Sequence, residues 1–293
     1  MMETQKLERP QIHQSMLSPM CWWQWLPVHG QRFGIWPVYE PVPPSSAMVT
    51  GSTGHETAAF NLKYKMENGV CRPLDEVTDF ARDCAHRLWD DGVLLNEAER
   101  LNPLKSKDAM VQTVIEVSKL HHQKIVPMLY PTAIEWPFVI ELTGGQFYDV
   151  AGTIDCLEEN RVVDFKFAKG LTRTNLEHAA KTVQGATYCE AFRVHHGGRY
   201  PQEFRLAVIA KTKTPTYQIL SAEPDESWIN PLFRRIEWLA QAILRARELI
   251  ETTGNEYAAK EIFAPVSPEG PHSWVCTQFN CGFADKCKAW TGR

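Results

Sequence analysis

Residues 152–157 read GTIDCL and residues 161–167 read RVVDFKF, and these two segments say more about the fold than any other part of the chain. Both are apolar and strand-like, apart from carboxylates at Asp155 and Asp164 and an ammonium group at Lys166. Side chains alternate between the faces of a strand, so Asp164 and Lys166 share one face and the apolar residues share the other. The polar turn EENR predicts a hairpin that brings Asp155 near Asp164. Paired carboxylates beside an ammonium group can bind Mg²⁺ and activate a water.

Size and composition favour one large domain. The chain has 293 residues, of which 44% are hydrophobic, enough for a sizeable core. No run of about 18 apolar residues is present, so no transmembrane helix and no membrane partner is expected. The first residues, MMETQK, are polar and lack the apolar core of a signal peptide. We therefore expect a cytoplasmic protein with reduced thiols, in a bacterium or a phage-infected host.

Charge is unevenly distributed. The formal net charge is −4, which gives no global attraction to nucleic acid. Residues 161–217, however, carry ten Lys and Arg against four Asp and Glu. A local basic patch can bind phosphates even on an acidic chain. An ordinary solvated helix face with lysines is an equally good interpretation of the charge alone.

Hydrophobic periodicity predicts helices and strands in an order typical of an α/β protein. The predicted helices span about 55–68, 73–93, 106–121, 174–194 and 226–252. The predicted strands span 124–130, 137–142, 146–157, 161–168, 203–210 and 216–221. This order favours a mixed sheet flanked by helices.

Two further motifs add polar groups. Gln184 and Tyr188 are four residues apart on a predicted helix, so they project from one face. An amide and a phenol there suit a base edge, a phosphate or a positioned carboxylate. Residues 51–55 read GSTGH, and His55 is predicted at the start of a helix, where it could bind a metal. Read alone, the first motif also fits a partly buried Gln and Tyr, and the second also fits a helix-entry His near a flexible Gly loop.

Three cysteines lie within twelve residues near the C-terminus, at Cys276, Cys281 and Cys287. In a reducing compartment such a trio indicates a metal site. The fourth ligand has several candidates, of which Cys21 is the best, followed by Cys71, Cys84 and His272. Cys156 and Cys189 lie in apolar runs and are predicted to be core residues.

Together these motifs resemble the RecB-type branch of the PD-(D/E)XK nucleases, which includes iron–sulfur nucleases of CRISPR adaptation and many phage exonucleases. The resemblance covers roughly residues 18–290, and the motifs occur in the family's order. The matching positions are Gly51 with His55, Asp155, Asp164 with Lys166, Gln184 with Tyr188, and the cysteines Cys21, Cys276, Cys281 and Cys287. The family's acidic residue upstream of the strand aspartate is expected at Glu141. No Walker A motif is present, so no helicase motor is expected.

The resemblance implies a restriction-endonuclease-like core and a set of site residues. Asp155, Asp164, the Phe165 carbonyl and His55 would hold Mg²⁺ or Mn²⁺, and Lys166 would orient the attacking water. Gln184 and Tyr188 would complete the catalytic set. The expected phosphate contacts are Lys169, Arg173 and Lys181. The four family cysteines would hold a 4Fe–4S cluster, with zinc as the competing occupant.

The resemblance also implies an organisation and a function. A flexible lead over 1–20 would precede a single nuclease domain over 21–293. Within that domain the expected parts are a helical part (21–123), a catalytic sheet core (124–221), a long helix (222–264) and a cysteine tail (265–293) that packs on the N-terminal segment. The expected activity is that of an exonuclease on DNA ends or single strands, with a helicase or recombinase as partner in trans. The alternatives are a non-catalytic DNA-binding or assembly subunit and a different metal-dependent hydrolase.

Overall fold

The computed structural model describes residues 11–17, 21–39, 43–142, 148–171 and 180–263. The chain forms two compact units, each built from segments that are distant in sequence. The sheet unit consists of Val42–Pro137 and Thr153–Ile229. The terminal unit consists of Met1–Pro41, Phe138–Gly152 and Asn230–Arg293. The single nuclease domain expected over 21–293 stays a prediction.

The described residues contain six strands and seven α-helices. The strands are β1 (Gln11–His13), β2 (Ala133–Ile140), β3 (Asp149–Glu158), β4 (Arg161–Ala168), β5 (Glu203–Ala210) and β6 (Tyr217–Ala222). The helices are α1 (Trp22–His29), α2 (Ser46–Asn68), α3 (Leu74–Asp90), α4 (Glu97–Leu101), α5 (Pro103–Leu120), α6 (Val183–His195) and α7 (Glu226–Thr253). Short 3₁₀ turns lie at Gln14–Leu17, Gly30–Phe33, Val126–Met128 and Ala258–Glu261.

The sheet is mixed, as the order of predicted elements indicated. Strands β3 and β4 pair antiparallel from Cys156↔Val163 to Glu158↔Arg161, which is the predicted hairpin. Strand β4 pairs in parallel with β5 over eight residues, and β5 pairs antiparallel with β6. Both β4 and β5 are largely buried along their length, as expected for strands covered on both faces, although β4 carries Asp164 and Lys166. In the terminal unit, β1 pairs in parallel with the first residues of β3.

Helices cover both faces of β4 and β5. On one face, Phe165 and its register partner Ala207 pack in a buried cluster with Ala58 of α2. On the other face, Phe204 lies against Gly185 of α6, where an added Cβ would come within 2.8 Å of the Phe204 ring. The predicted architecture, a mixed sheet flanked by helices, is therefore confirmed.

Helix α2 is longer than the sequence predicts. The Ser45 side chain accepts a hydrogen bond from the Met48 N–H and caps the helix at its true start. His55 consequently lies in the third turn, so its predicted place at the start of a helix is wrong. The glycines of the GSTGH motif suggested a flexible loop. Gly54 instead lets the helix pass close over the sheet, because an added Cβ would lie 2.8 Å from the Phe167 ring.

The predicted strand over 124–130 is also wrong. Helix α5 continues into a π-helical turn at His121–Ile125, which is followed by the 3₁₀ turn Val126–Met128. Ile125 and Val126 are buried in the same apolar cluster as Phe165. A short apolar run has the same composition in a buried strand and in a buried helical turn, so periodicity does not separate the two.

Helix α6 begins later than predicted. Its first residue is Val183, and the Thr182 side chain caps it by accepting a hydrogen bond from the Gly185 N–H. The predicted helix spans 174–194, and the part over 174–179 lies outside the described residues. The later start places Gln184 in the first turn of α6.

The terminal unit contains a core of aromatic rings. Trp25 stacks on Phe33 and on Phe263, with ring centroids 5.6 and 5.2 Å apart. The Arg247 guanidinium donates a hydrogen bond to the Phe33 carbonyl and so ties α7 to this core. Among the described helices, none combines the length and the apolar character required to span a bilayer.

Candidate active site

Asp155 marks the point where the β3–β4 ladder ends. The last paired residues are Cys156 and Val163. One residue further, Asp155 Oδ2 accepts a hydrogen bond from the Phe165 N–H at 2.8 Å. The carboxylate thereby takes the place of a main-chain acceptor from the neighbouring strand. The predicted hairpin therefore does bring Asp155 to the segment that contains Asp164.

His55 approaches the same carboxylate from α2. Its Nδ1 lies 3.3 Å from Asp155 Oδ2, and its ring meets the Phe167 ring edge to face. Burial alone would lower the pKa of His55, but the hydrogen bond to Asp155 and the nearby charges of Asp155 and Asp164 raise that pKa overall. The sequence prediction that His55 belongs to the site is thus supported by its position, although its place in the helix was predicted wrongly.

Asp164 is fully buried and incompletely paired. Lys166 Nζ lies 3.0 Å from Asp164 Oδ2, but its only well-aligned hydrogen bond to this carboxylate goes to Oδ1, at 3.3 Å. Oδ2 has no hydrogen-bond donor among the described residues. A buried carboxylate oxygen without a donor is costly, and a bound cation would remove that cost.

The two carboxylates have pKa values shifted in opposite directions. Burial and the neighbouring charge of Asp155 raise the pKa of Asp164 to about 7. Burial would also raise the pKa of Asp155, but His55, the Phe165 N–H and Lys166 together lower it below its usual range. Two close carboxylates with one partly protonated form a site that is short of positive charge.

The two carboxylates and the Phe165 carbonyl are oxygen ligands of the kind that Mg²⁺ and Mn²⁺ prefer, whereas the His55 imidazole is a ligand more typical of other transition metals. In the ranges that the structure describes, no three His, Cys, Asp or Glu side chains converge closely enough to hold a metal ion by themselves. The donor set fits a cation that keeps several waters, as Mg²⁺ usually does.

Lys166 belongs to a hydrogen-bonded chain that runs into α6. Its ammonium group donates to Gln184 Oε1, and Gln184 Nε2 donates to the Tyr188 hydroxyl at 2.7 Å. Tyr188 is buried, and its pKa is raised by burial and by the charge of Asp164. The predicted common face of Gln184 and Tyr188 is confirmed. The chain fixes the direction of the Lys166 side chain beside Asp164.

Glu135 was not singled out from the sequence, but its charge reaches this site. It has a φ of 52°, a left-handed conformation that is unusual for a residue with a side chain. Its pKa is raised by burial and by the charge of Asp155, with a smaller opposing effect from His55. Glu141, the upstream acid expected from the sequence, is exposed and belongs to the terminal unit. Glu135 could have been found if the predicted strand over 137–142 had begun four residues earlier, at the true start of β2, which spans Ala133–Ile140.

His121 is a second residue that sequence reasoning missed. It lies in the π-helical turn, and its ring meets the Phe165 ring edge to face, with centroids 4.9 Å apart. Burial and the charge of His122 lower its pKa to about 3, so it is neutral. Its Nε2 has no hydrogen-bond partner among the described residues. Turns of π-helix occur often at functional sites, and this one supports the segment that holds Asp164.

The predicted phosphate contacts have different outcomes. Lys169 is exposed just beyond the end of β4. Lys181 forms an ion pair with Asp225 at 3.4 Å and lines a cavity of about 1060 Å³ beside the β3–β4 turn. Arg173 lies outside the described residues. The roles of these residues in DNA binding stay predictions.

The cysteine trio Cys276, Cys281 and Cys287 and the alternative ligand His272 also lie outside the described residues. Cys21 is buried at the N-terminus of α1. Burial and Glu56 raise the pKa of Cys84 to about 11, which disfavours the thiolate that a metal requires. The predicted core positions of Cys156 and Cys189 are confirmed, since both are fully buried.

The fold is similar to that of proteins with solved structures. One of these structures is the crystal structure of a protein from Eubacterium rectale that bears the provisional name exonuclease. The TM-score is 0.51 at 15% identity, over 85% of this chain and 87% of that chain, and a likeness so distant shows the fold alone. A second structure, that of SSO0001, has a TM-score of 0.31 at 13% identity over 85% of this chain and 88% of that chain, a likeness too weak to indicate a shared fold. No family model matches the chain, and no curated protein matches it.

Proposed function

We propose that this chain is a metal-dependent DNA nuclease that hydrolyses phosphodiester bonds. The observation that carries the proposal is the buried Asp164 carboxylate, which lies beside Lys166 and has one oxygen without a hydrogen-bond donor. Asp155 lies beside the same segment through its bond to the Phe165 N–H. Two carboxylates and an ammonium group on two neighbouring strands suit a cation and a phosphate together.

In this proposal Asp155, Asp164 and the Phe165 carbonyl would hold Mg²⁺ or Mn²⁺ together with bound waters. His55 would become a further ligand when the cation draws it closer, because the three side chains do not converge tightly enough without it. When bound, the cation supplies Lewis-acid stabilisation of the charge on the phosphorane and lowers the pKa of a bound water. A bound cation would favour the ionised form of Asp164, which burial and the charge of Asp155 otherwise disfavour.

Lys166 would orient the attacking water and offset the negative charge of the phosphate. The water oxygen would attack phosphorus and release a proton to the solvent, the bond from phosphorus to the ester oxygen would break, and the leaving oxygen would take up a proton from the solvent, so that one water is consumed per bond cleaved. Gln184 would keep Lys166 aimed at this position through its hydrogen bond, and Tyr188 would hold Gln184 in turn. Glu135 would add a further negative charge near Asp155 and so strengthen the attraction for the cation.

The proposed substrate is DNA, at ends or in single strands, and the proposed mode is exonucleolytic. This part of the proposal depends on the resemblance to RecB-type nucleases and on the basic stretch over 161–217. Recombination, repair or phage DNA processing in the cytoplasm would be the setting, with a helicase or recombinase supplying strands in trans.

The test is incubation of the purified protein with end-labelled single-stranded and double-stranded DNA in Mg²⁺, Mn²⁺ or EDTA. We expect cleavage with either metal and none in EDTA. Asp155→Asn and Lys166→Ala proteins, purified by the same procedure, should not cleave the DNA. Their inactivity would exclude a contaminating nuclease. A folded wild-type protein that binds DNA but cleaves no substrate under any of these conditions would support a non-catalytic DNA-binding subunit instead.

We further propose that Cys21, Cys276, Cys281 and Cys287 hold a 4Fe–4S cluster. Protein purified without oxygen should then be brown and contain about four irons per chain. Serine at any of the four positions should bleach it, whereas Cys156→Ser and Cys189→Ser should not. One zinc without iron would keep the metal site and overturn the cluster.

A further inference from the structure

Aromatic and imidazole rings meet where the end of α6 packs against β2. The Trp136 ring lies 5.0 Å from the His195 ring and 6.1 Å from the His196 ring, centroid to centroid. His196 stacks flat on Phe192, with centroids 3.9 Å apart and planes inclined by 3°. These four residues, Trp136, Phe192, His195 and His196, form what we name the Trp136 cluster.

The cluster has a rigid base and an open surface. Phe192 is buried, Trp136 is half-buried, and both histidines are exposed. His196 Nδ1 is within hydrogen-bond distance, 2.9 Å, of the Phe192 carbonyl, which fixes the imidazole in place. Flat rings held in fixed orientations at a surface are what bases of single-stranded nucleic acid stack on.

The surrounding charges suit a polyanion. Arg193 pairs with Glu190 through two hydrogen bonds of 2.8 and 2.6 Å, so the buried carboxylate of Glu190 is neutralised. Arg199 follows the cluster in an exposed turn that contains Gly197 and Gly198, both with positive φ. A phosphate backbone would therefore meet a cation beside the rings.

The cluster shares helix α6 with the candidate active site. Phe192 lies four residues after Tyr188, and Tyr188 lies four residues after Gln184, so the three side chains follow one face of the helix. On β2, Trp136 directly follows Glu135, which has a left-handed backbone. The cluster therefore continues the line of side chains that begins with the hydrogen bond from Lys166 to Gln184.

We propose that the Trp136 cluster is a stacking platform for bases of single-stranded DNA that lead to the carboxylate site. The inference rests on the proposed nuclease function and specifies its substrate. Stacking on aromatic rings tolerates any base, so the platform would hold a strand without selecting a sequence. A duplex has its bases stacked internally, so the cluster would favour single strands over duplexes.

The test is the binding of a fluorescent oligothymidine to the full chain in EDTA, measured by anisotropy, where no cleavage interferes. Trp136→Ala should raise the Kd about tenfold, because each base–ring contact contributes that much or more. Trp136→Phe keeps a ring and should stay close to wild type. His195→Ala should weaken binding by a smaller factor. A matched duplex should lose much less than tenfold from Trp136→Ala.

Tyr217→Ala is the matched control. Tyr217 is an exposed aromatic residue at the start of β6, and the strands β3, β4 and β5 separate it from β2. Its removal should leave the oligothymidine Kd unchanged. Circular dichroism checks each variant, and His195→Ala with Trp136→Phe decides the matter if Trp136→Ala does not fold. Unchanged binding by folded Trp136→Ala, an equal loss for the duplex, or an equal loss in Tyr217→Ala overturns the platform.

The outcome also separates the platform from the catalytic proposal. Binding of single strands that depends on Trp136, in a wild-type protein that cuts no DNA with Mg²⁺ or Mn²⁺, supports the platform and overturns the nuclease. Metal-dependent cleavage with a binding constant that does not respond to Trp136 overturns the platform alone.

Discussion

The two faces of strand β4 carry different kinds of side chain. Val163, Phe165 and Phe167 point to one face and pack beneath α2 in the main apolar cluster. Asp164 and Lys166 point to the other face, where α6 supplies Gln184. Residues that alternate along eight positions of sequence therefore divide into one set that holds the sheet together and one set that carries charge.

The apolar face of β4 contributes to stability, and the charged face contributes the groups that we assign to chemistry. The apolar face gains free energy by removing carbon surface from water. The charged face loses free energy, because Asp164 is fully buried with an incompletely paired carboxylate. A protein keeps such a cost where the group has a use, so changes on the two faces should affect different measurements.

The largest expected effect is on cleavage, from Asp164→Asn. The amide keeps the shape but removes the charge that we assign to metal binding, so the cleavage rate should fall by about a thousandfold or more. The melting temperature in EDTA should stay equal or rise, since a buried and poorly paired carboxylate is gone. Initial rates with end-labelled DNA and thermal melts of the same preparation check both expectations. Substantial cleavage by this variant would contradict the assignment of the charged face.

The next effect is on folding, from the opposite face. Phe165→Ala removes a ring that is buried in the main cluster and meets His121. We expect a loss of about 3–5 kcal/mol in the free energy of unfolding, measured by urea titration. Phe165→Leu is the matched control, because it keeps most of the apolar volume. It should stay folded and retain cleavage. If Phe165→Leu abolished cleavage without loss of stability, the two faces would not be separable.

A smaller effect is a pH dependence of stability in EDTA. The pKa of Asp164 is raised to about 7 in the folded protein from its usual value of 3.8. Between about pH 4 and 7 the folded state keeps a proton that the unfolded state releases, so the contribution of Asp164 to the free energy of unfolding falls as pH rises. One such group gives a slope of at most about 1.4 kcal/mol per pH unit.

Three neighbours have their own signs. The lowered pKa of Asp155 gives stability that is lost only as the pH falls below the usual aspartate range. The raised pKa of His55 gives stability that is lost as the pH rises through its folded pKa, in the same direction as Asp164. The lowered pKa of His121 has the opposite sign, because below about pH 6.5 the unfolded state binds a proton that the folded state excludes. Relative to wild type, Asp164→Asn should therefore make the slope between pH 4 and 7 more positive by up to about 1.4 kcal/mol per pH unit. Saturating Mg²⁺ should shift the slope in the same direction, because the cation selects the ionised carboxylate. Urea titrations at each pH, with and without Mg²⁺, give the answer. An unaltered slope in Asp164→Asn would show that another group titrates.

The sequence predicted the charged face well because its signals are local. Asp164 and Lys166 are two residues apart on one strand, and Gln184 and Tyr188 are four apart on one helix. Strand and helix periods fix those faces without knowledge of the tertiary fold. The turn between β3 and β4 is equally local, and it brought Asp155 to its place.

The parts that could not be predicted depend on contacts between distant segments. His121 reaches Phe165 only because α5 ends in a π-helical turn beneath the sheet. The charge of Asp155 affects Glu135, which has a left-handed backbone in β2. Nothing in the local sequence predicts that conformation for a glutamate. The glycines of the GSTGH motif are equally compatible with a flexible loop, and only the contact between Gly54 and Phe167 shows why a glycine is needed there.

The smallest expected effect on the cleavage rate comes from Gln184, a residue beside the charged face. Gln184 touches Lys166 and Tyr188 but neither carboxylate. It acts through Lys166, so Gln184→Ala should lower the cleavage rate by a factor of roughly ten to a hundred, well short of the loss in Asp164→Asn. The metal concentration for half-maximal rate should stay unchanged, because the ligands are intact. Tyr188→Phe removes only the hydroxyl at the far end of the chain and should cost less than Gln184→Ala. Metal titrations of the cleavage rate in both variants measure these differences. A raised metal requirement in Gln184→Ala would place Gln184 among the groups that hold the cation, and the charged face would then include the first turn of α6.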